Sequence, residues 1–209
     1  MSAQLPDTNA IKVFTFEIAW EVVNKVGGIY TVIKTKTAET VKQLGEQYCL
    51  IGPYQEATAK LQFEAQVPES EVMRNTLAAM RAKGVTVHFG RWLIDGAPKV
   101  VLFDLESCMG RLAEWRHQLW EQTRIGFPDD DMESTRSTLF GFLTAWFLGE
   151  YLHQLELSGD VETKLIAHFH EWLAGIGLVL LRVRKLPVRP GRPALFVECA
   201  IGASLGRVR

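Results

Sequence analysis

A chain of 209 residues suits one domain, or one and a half, and is long enough to bury a core. Hydrophobic residues make up 47% and charged residues 22%, the balance of an ordinary globular protein. The net charge of −1 excludes a global field that would draw the chain to nucleic acid or to a membrane surface.

In chain order, the apolar run Lys12–Phe16 reads as a buried strand. Lys25-Val26-Gly27-Gly28 follows, and then an amphipathic helix over Ile29–Leu44. Strand, lysine, glycine pair and helix start together make a candidate anion site. The glycines permit close backbone approach, the helix start offers N–H groups with partial positive charge, and Lys25 adds a full charge. Neither common nucleotide-binding glycine motif is present. A glycine turn that packs a helix tightly on its strand explains the same residues equally well.

Strands are predicted next at Tyr48–Ile51, Val85–Phe89 and Lys99–Phe103, and helices at Glu69–Lys83 and Gly110–Gln122. Gly84 stands where a helix ends, and Gly52-Pro53 and Gly96-Ala97-Pro98 punctuate loops. Phe127-Pro128-Asp129-Asp130-Asp131 reads as a solvated acidic turn that could lead into a helix, because three adjacent Asp side chains cannot all reach one ion. A long apolar helix is predicted over Ser134–Leu157, a strand over Lys164–Phe169 and a helix over Trp172–Lys185. Alternating strands and helices predict an α/β fold with a largely parallel sheet.

His168-x-His170-Glu171 falls where that last strand gives way to its helix, at a strand carboxyl end, where open α/β sheets place ligands. The two histidines would share one side of a strand, but no third ligand is evident and no metal site is assigned. An acidic residue at a helix start is also favoured for structural reasons alone. The cysteines Cys49, Cys108 and Cys199 are scattered without metal spacing, and the first two read as buried thiols, a set that suits a reducing compartment. Met1 to Ala10 has no signal-peptide pattern. The densest apolar runs, Leu139–Gly149 and Trp172–Leu181, fall well short of the roughly 20 residues of a membrane span. A cytoplasmic location is the default expectation.

The stretch Phe16-Glu17-Ile18-Ala19-Trp20-Glu21-Val22-Val23-Asn24-Lys25-Val26-Gly27-Gly28-Ile29-Tyr30 resembles the start of the catalytic region of animal and fungal glycogen synthases. Tyr48–Tyr54, Phe89–Pro98, Ala145–Glu150 and Ala167–Gly175 agree with that family in the same order. The resemblance spans residues 13–188. It implies a Rossmann-like parallel sheet with flanking helices, part of the N-terminal half of a two-domain GT-B glycosyltransferase. The activity it implies is retaining transfer of glucose from UDP-glucose to the non-reducing end of an α-1,4-glucan, without a metal. On this resemblance, His170 and Glu171 match a turn lining the cleft near the donor sugar and are the candidate catalytic residues. Lys25, Gly27 and Gly28 match the loop facing the UDP-glucose diphosphate. Glycogen, glycogenin and further copies of the chain are the implied partners. Trp20, Trp92 and Trp172 lie in matched motifs and could stack on sugar, although core packing is the favoured reading for each. Arg91 could hold a carboxylate within the fold or meet a ligand.

These readings divide the chain into an N-terminal extension (1–10), a partial N-terminal domain (11–188) and an unmatched tail (189–209). The tail is rich in Arg, Gly and Pro, and it is expected to be disordered, although the short run Ala194–Val197 could pair somewhere. Where the family continues into a strand and a Thr-Thr-His-Ala-Thr segment, this chain has Arg189-Pro190-Gly191-Arg192-Pro193. A truncated splice product or a faulty gene model would both explain the mismatch. The alternative to an active synthase is accordingly an inactive fragment that binds glucan or glycogenin at most.

Overall fold

The structure is a computed structural model that describes residues 12–184 and 193–200. The N-terminal extension and residues 189–192 and 201–209 of the tail lie outside the described residues.

Strand β1 (Val13–Ile18) leads to α1 (Gly28–Leu44), β2 (Tyr48–Pro53), the short α2 (Glu56–Gln62) and β3 (Phe63–Ala65). Then come α3 (Glu71–Ala82), β4 (Val87–Trp92), β5 (Lys99–Phe103), α4 (Leu112–Thr123) and α5 (Met132–Leu157). The remaining elements are β6 (Lys164–His170), α6 (Glu171–Val183) and β7 (Ala194–Ala200). The described strands form one sheet in the order β3-β4-β5-β2-β1-β6-β7. From β5 through β7 every pairing is parallel, whereas β3–β4 and β4–β5 are antiparallel. The α/β reading and the largely parallel sheet hold, with an antiparallel margin the sequence did not announce.

Alternation along β1 divides the core. Phe14, Phe16 and Ile18 point into the large cluster shared with α3, α4, α5 and α6. On the other face, Tyr30 and Ile33 of α1 pack with Tyr48, Leu50, Trp92, Val100 and Leu102. Helix α5 is buried along most of its length, as its apolar run requires. Its start is set by Asp131, whose carboxylate accepts from the N–H groups of Glu133 (3.1 Å) and Ser134 (3.3 Å). Asp129, in the same acidic turn, pairs with Arg116 at 2.8 Å. The turn is a helix cap and a surface ion pair.

Helices α5 and α6 cross where Gly141 meets Gly177. A Cβ on Gly141 would lie 2.6 Å from Ile176 Cγ2 and 2.8 Å from the Gly177 nitrogen. Gly141→Ala is expected to destabilise the fold by about 1–3 kcal/mol through overpacking, measurable as a lowered urea midpoint.

The structure departs from the sequence reading at the tail. Residues Ala194–Ala200, expected to be disordered, run parallel beside β6, from Lys164↔Ala194 to His170↔Ala200. Pro193 stands immediately before this strand, where its missing N–H costs no ladder bond. Leu195 packs against the core, while Phe196 is 51% exposed, as befits an edge strand. Helix α2 and strand β3 are also additions to the sequence reading. Both are short, and within α2 only Ala59 is buried, so no apolar period marks them.

Candidate functional site

Strands β1 and β6 are parallel neighbours, paired from Val13↔Lys164 to Ile18↔Phe169. Their carboxyl ends therefore lie side by side. The loop after β1 carries Lys25, Gly27 and Gly28, and the turn after β6 carries His170 and Glu171. Each connection contains a non-glycine residue in the left-handed region, Val23 at φ 56° and Glu171 at φ 56°. Such a conformation costs on the order of 1–2 kcal/mol per residue, and a β-branched valine adopts it rarely. Two strained turns on adjacent strand ends mark this end of the sheet as a place shaped for more than stability.

The side chains divide into exposed and buried sets. Lys25, Gly27, Gly28 and Glu171 are exposed, and His170 is only 5% exposed. Within the glycine loop, Glu21 fills part of the candidate anion site. Its Oε2 accepts from the N–H groups of Gly27 (2.6 Å), Tyr30 (3.1 Å) and Val26 (3.4 Å). An internal carboxylate thus takes up the N–H groups of Val26, Gly27 and Tyr30 around the start of α1. Gly27 is where that carboxylate comes close, since a Cβ there would lie 3.1 Å from Glu21 Oε1. Over Gly28 the space is open. Lys25 remains the exposed cation of the loop.

Under the turn after β6 sits a buried polar cluster that the sequence reading did not find. Glu17, on β1, is 2% exposed. Its Oε1 lies 2.5 Å from His170 Nε2 and 2.5 Å from Lys36 Nζ of α1, and its Oε2 accepts from the Tyr48 hydroxyl. Burial opposes ionisation of Glu17, but the hydrogen bonds from His170, Lys36 and Tyr48 outweigh it and hold the carboxyl down at about 2. Burial, followed by the Glu17 charge, pushes the Tyr48 phenol up. His168 stacks on His170 with ring centroids 4.6 Å apart. Burial and then His170 lower the pKa of His168. The available signal was a carboxylate inside the mainly apolar strand Val13–Ile18, since a buried acid needs partners.

A folded-state pKa of about 2 against an ordinary 4.5 makes Glu17 stabilising above pH 4.5, a contribution lost as the pH falls toward 2. About 3 kcal/mol is at stake, from roughly 1.4 kcal/mol per unit. Urea unfolding of the wild type is expected to weaken through this window. Glu17→Gln, less stable at neutral pH, is expected to show a flatter profile there.

The three tryptophans separate by burial. Trp92 is fully buried, with its Nε1 donating to Gln62 Oε1 at 3.2 Å. Trp20 is partly buried, edge-on to Phe140 at 5.8 Å. Trp172, in the first turn of α6, is 52% exposed. Arg91 donates from Nη2 to both carboxylate oxygens of Glu46, at 3.0 and 3.1 Å, so it holds a carboxylate within the fold. Cys49 and Cys108 are buried, and burial pushes the Cys49 thiol up to about 12. No His, Cys, Asp and Glu cluster suited to a metal occurs among the described residues. No helix among them is long and apolar enough to cross a membrane.

The family model for glycogen synthase matches residues 17–194, which includes both strained turns and reaches the first residue of β7. Over 174 residues the chain is 49% identical to the liver glycogen [starch] synthase of Homo sapiens, covering 83% of this chain and 24% of that protein. It is 43% identical over 175 residues to glycogen [starch] synthase of Caenorhabditis elegans, covering 84% and 26% respectively. For the Neurospora crassa glycogen [starch] synthase the identity is 42% over 173 residues, covering 83% and 24%. The chain therefore spans about a quarter of the length of the curated relatives it matches.

Proposed function

The chain belongs to the glycogen synthase family, and from that premise we propose that residues 12–184 form one wall of a UDP-glucose-dependent glucosyltransferase site of GT-B type. The acceptor in this reading is the non-reducing end of an α-1,4-glucan, and transfer proceeds with retention. The reading is supported by the adjacent carboxyl ends of β1 and β6, since the connections that leave them carry exposed Lys25 on one side and buried His170 with exposed Glu171 on the other.

Breaking the bond between glucose and UDP leaves negative charge on the β-phosphate, and a fixed positive group facing it lowers the barrier. Lys25 is assigned that role, with the open space over Gly28 admitting the diphosphate. Gly27 acts indirectly, by letting Glu21 brace the loop. His170 and Glu171 are assigned to the sugar. The positive charge in this scheme comes from the protein, and a metal-independent reaction in the cytoplasm is part of the proposal. Contact with glycogenin and assembly into homo-oligomers belong to the same proposal and rest on the family alone.

A second reading, glucan binding without turnover, is favoured by Trp172, whose exposed ring offers a stacking face for a sugar. Radiolabelled glucose incorporation from UDP-glucose into glycogen tests both. The assay compares the 209-residue polypeptide alone with a family-length synthase in which residues 12–184 replace the native segment. The chimera is expected to incorporate glucose. The short polypeptide is not, because a single wall leaves the reacting centre open to water. A folded chimera without activity would contradict the first reading. Glycogen co-sedimentation of the short polypeptide without incorporation would favour the second.

A further inference from the structure

We propose that Glu17 is a positioning residue that sets the tautomer of His170, leaving Nδ1 as the ring nitrogen free to accept a hydrogen bond from the donor sugar. The inference rests on the assignment of His170 to the sugar made above.

Glu17 lies one strand away from His170, on β1 beside β6, and is in register with His168. Parallel pairing puts the Glu17 and His168 side chains on the same face of the sheet, and the period of two along β6 puts His170 there as well. The carboxylate receives three groups on two oxygens: His170 Nε2 and Lys36 Nζ at Oε1, and the Tyr48 hydroxyl at Oε2. An ionised carboxylate can only accept, so the His170 nitrogen that touches it must carry the proton. That nitrogen is Nε2. Nδ1 is the remaining ring nitrogen, and it does not serve the helix it precedes. His170 is the N-cap residue of α6, yet its side chain makes no cap hydrogen bond.

The surroundings hold the ring in place. His168 stacks against one face of His170 with the planes 11° apart. Lys36 balances the Glu17 charge, which makes a buried carboxylate tolerable next to an imidazole. A merely structural contact at this point could have been apolar. The ionised carboxylate instead imposes one proton position on the ring, the function such a partner performs for histidines in many sites.

The test is histidine-ring nitrogen NMR on the 209-residue chain, with resonances assigned through His170→Gln. Wild type is expected to show His170 as a single species with Nε2 protonated and Nδ1 bare. Glu17→Gln, whose amide can donate as well as accept, is expected to lose that single-species pattern. Tyr48→Phe, which removes a donor to Glu17 but leaves its contact with His170, is expected to retain it. A wild-type ring protonated at Nδ1, with or without a proton at Nε2, would overturn the proposal, and so would an unchanged pattern in folded Glu17→Gln. Loss of the pattern in Tyr48→Phe would also overturn it, by assigning the ring's state to the wider cluster. If Glu17→Gln fails to fold, the wild-type and Tyr48→Phe spectra decide. Titration with UDP-glucose separates the two claims. The expected tautomer with no response of the His170 signals would support Glu17's control of the ring and contradict the donor-site reading on which its purpose rests.

Discussion

Lys25→Ala, in a family-length chimera carrying residues 12–184, is expected to lower kcat/KM for UDP-glucose by about 10²–10³, the usual cost of removing one preorganised donor to developing charge. The loss should fall on kcat at least as much as on KM, because the diphosphate gains charge in the transition state. Lys25 is exposed and makes no ion pair among the described residues, so its removal should leave the urea midpoint unchanged. His170→Ala and Glu171→Gln are expected to reduce turnover as well. Steady-state kinetics with varied UDP-glucose at saturating glycogen measure all three. A Lys25→Ala chimera with undiminished kcat/KM would remove the lysine from the site.

Trp92→Ala is expected to destabilise the fold by about 3–5 kcal/mol, the range for deleting a large buried aromatic. The residue is fully buried, packs against Tyr30 with centroids 5.4 Å apart, and donates to Gln62, which also accepts from the Tyr30 hydroxyl at 2.8 Å. Its loss leaves a cavity and removes one of the two donors to Gln62 Oε1. Since domains hold only about 5–15 kcal/mol in total, much of this variant should be unfolded or aggregated. Trp172→Ala should change stability by no more than about 0.5 kcal/mol, as expected for an exposed position, while weakening co-sedimentation with glycogen. Equilibrium urea unfolding of the two variants side by side separates the structural tryptophan from the available one.

Much of the architecture was legible in the sequence because the strong signals were long. The apolar period and the cap of α5, the glycine after α3, and the short apolar runs of β1, β2, β5 and β6 all mark their own elements. That the glycine pair and His-Glu each follow a strand carboxyl end was also legible, since both are local patterns. What escaped was decided by distant partners. Glu17 and Glu21 look alike in sequence, two acids four residues apart. Only the fold makes one a buried partner of His170 and the other a brace for the glycine loop. Arg91 could not be assigned without knowing that Glu46, 45 residues away, lies opposite. β7 escaped for a related reason. The prolines before it in sequence argue against a central strand, and its use as an edge depends on the open ladder of β6.

The central claim, that the carboxyl ends of β1 and β6 form the UDP-glucose wall, is tested most directly by titrating UDP-glucose into the isotopically labelled 209-residue chain. Backbone amide shifts report the contact. The account predicts saturable shifts at Lys25, Val26, Gly27, Gly28, His170 and Glu171, with residues at the opposite end of the sheet, such as Arg91 and Lys99, unmoved. Saturable shifts confined to other residues, or no shift at these six at any attainable concentration, would contradict it.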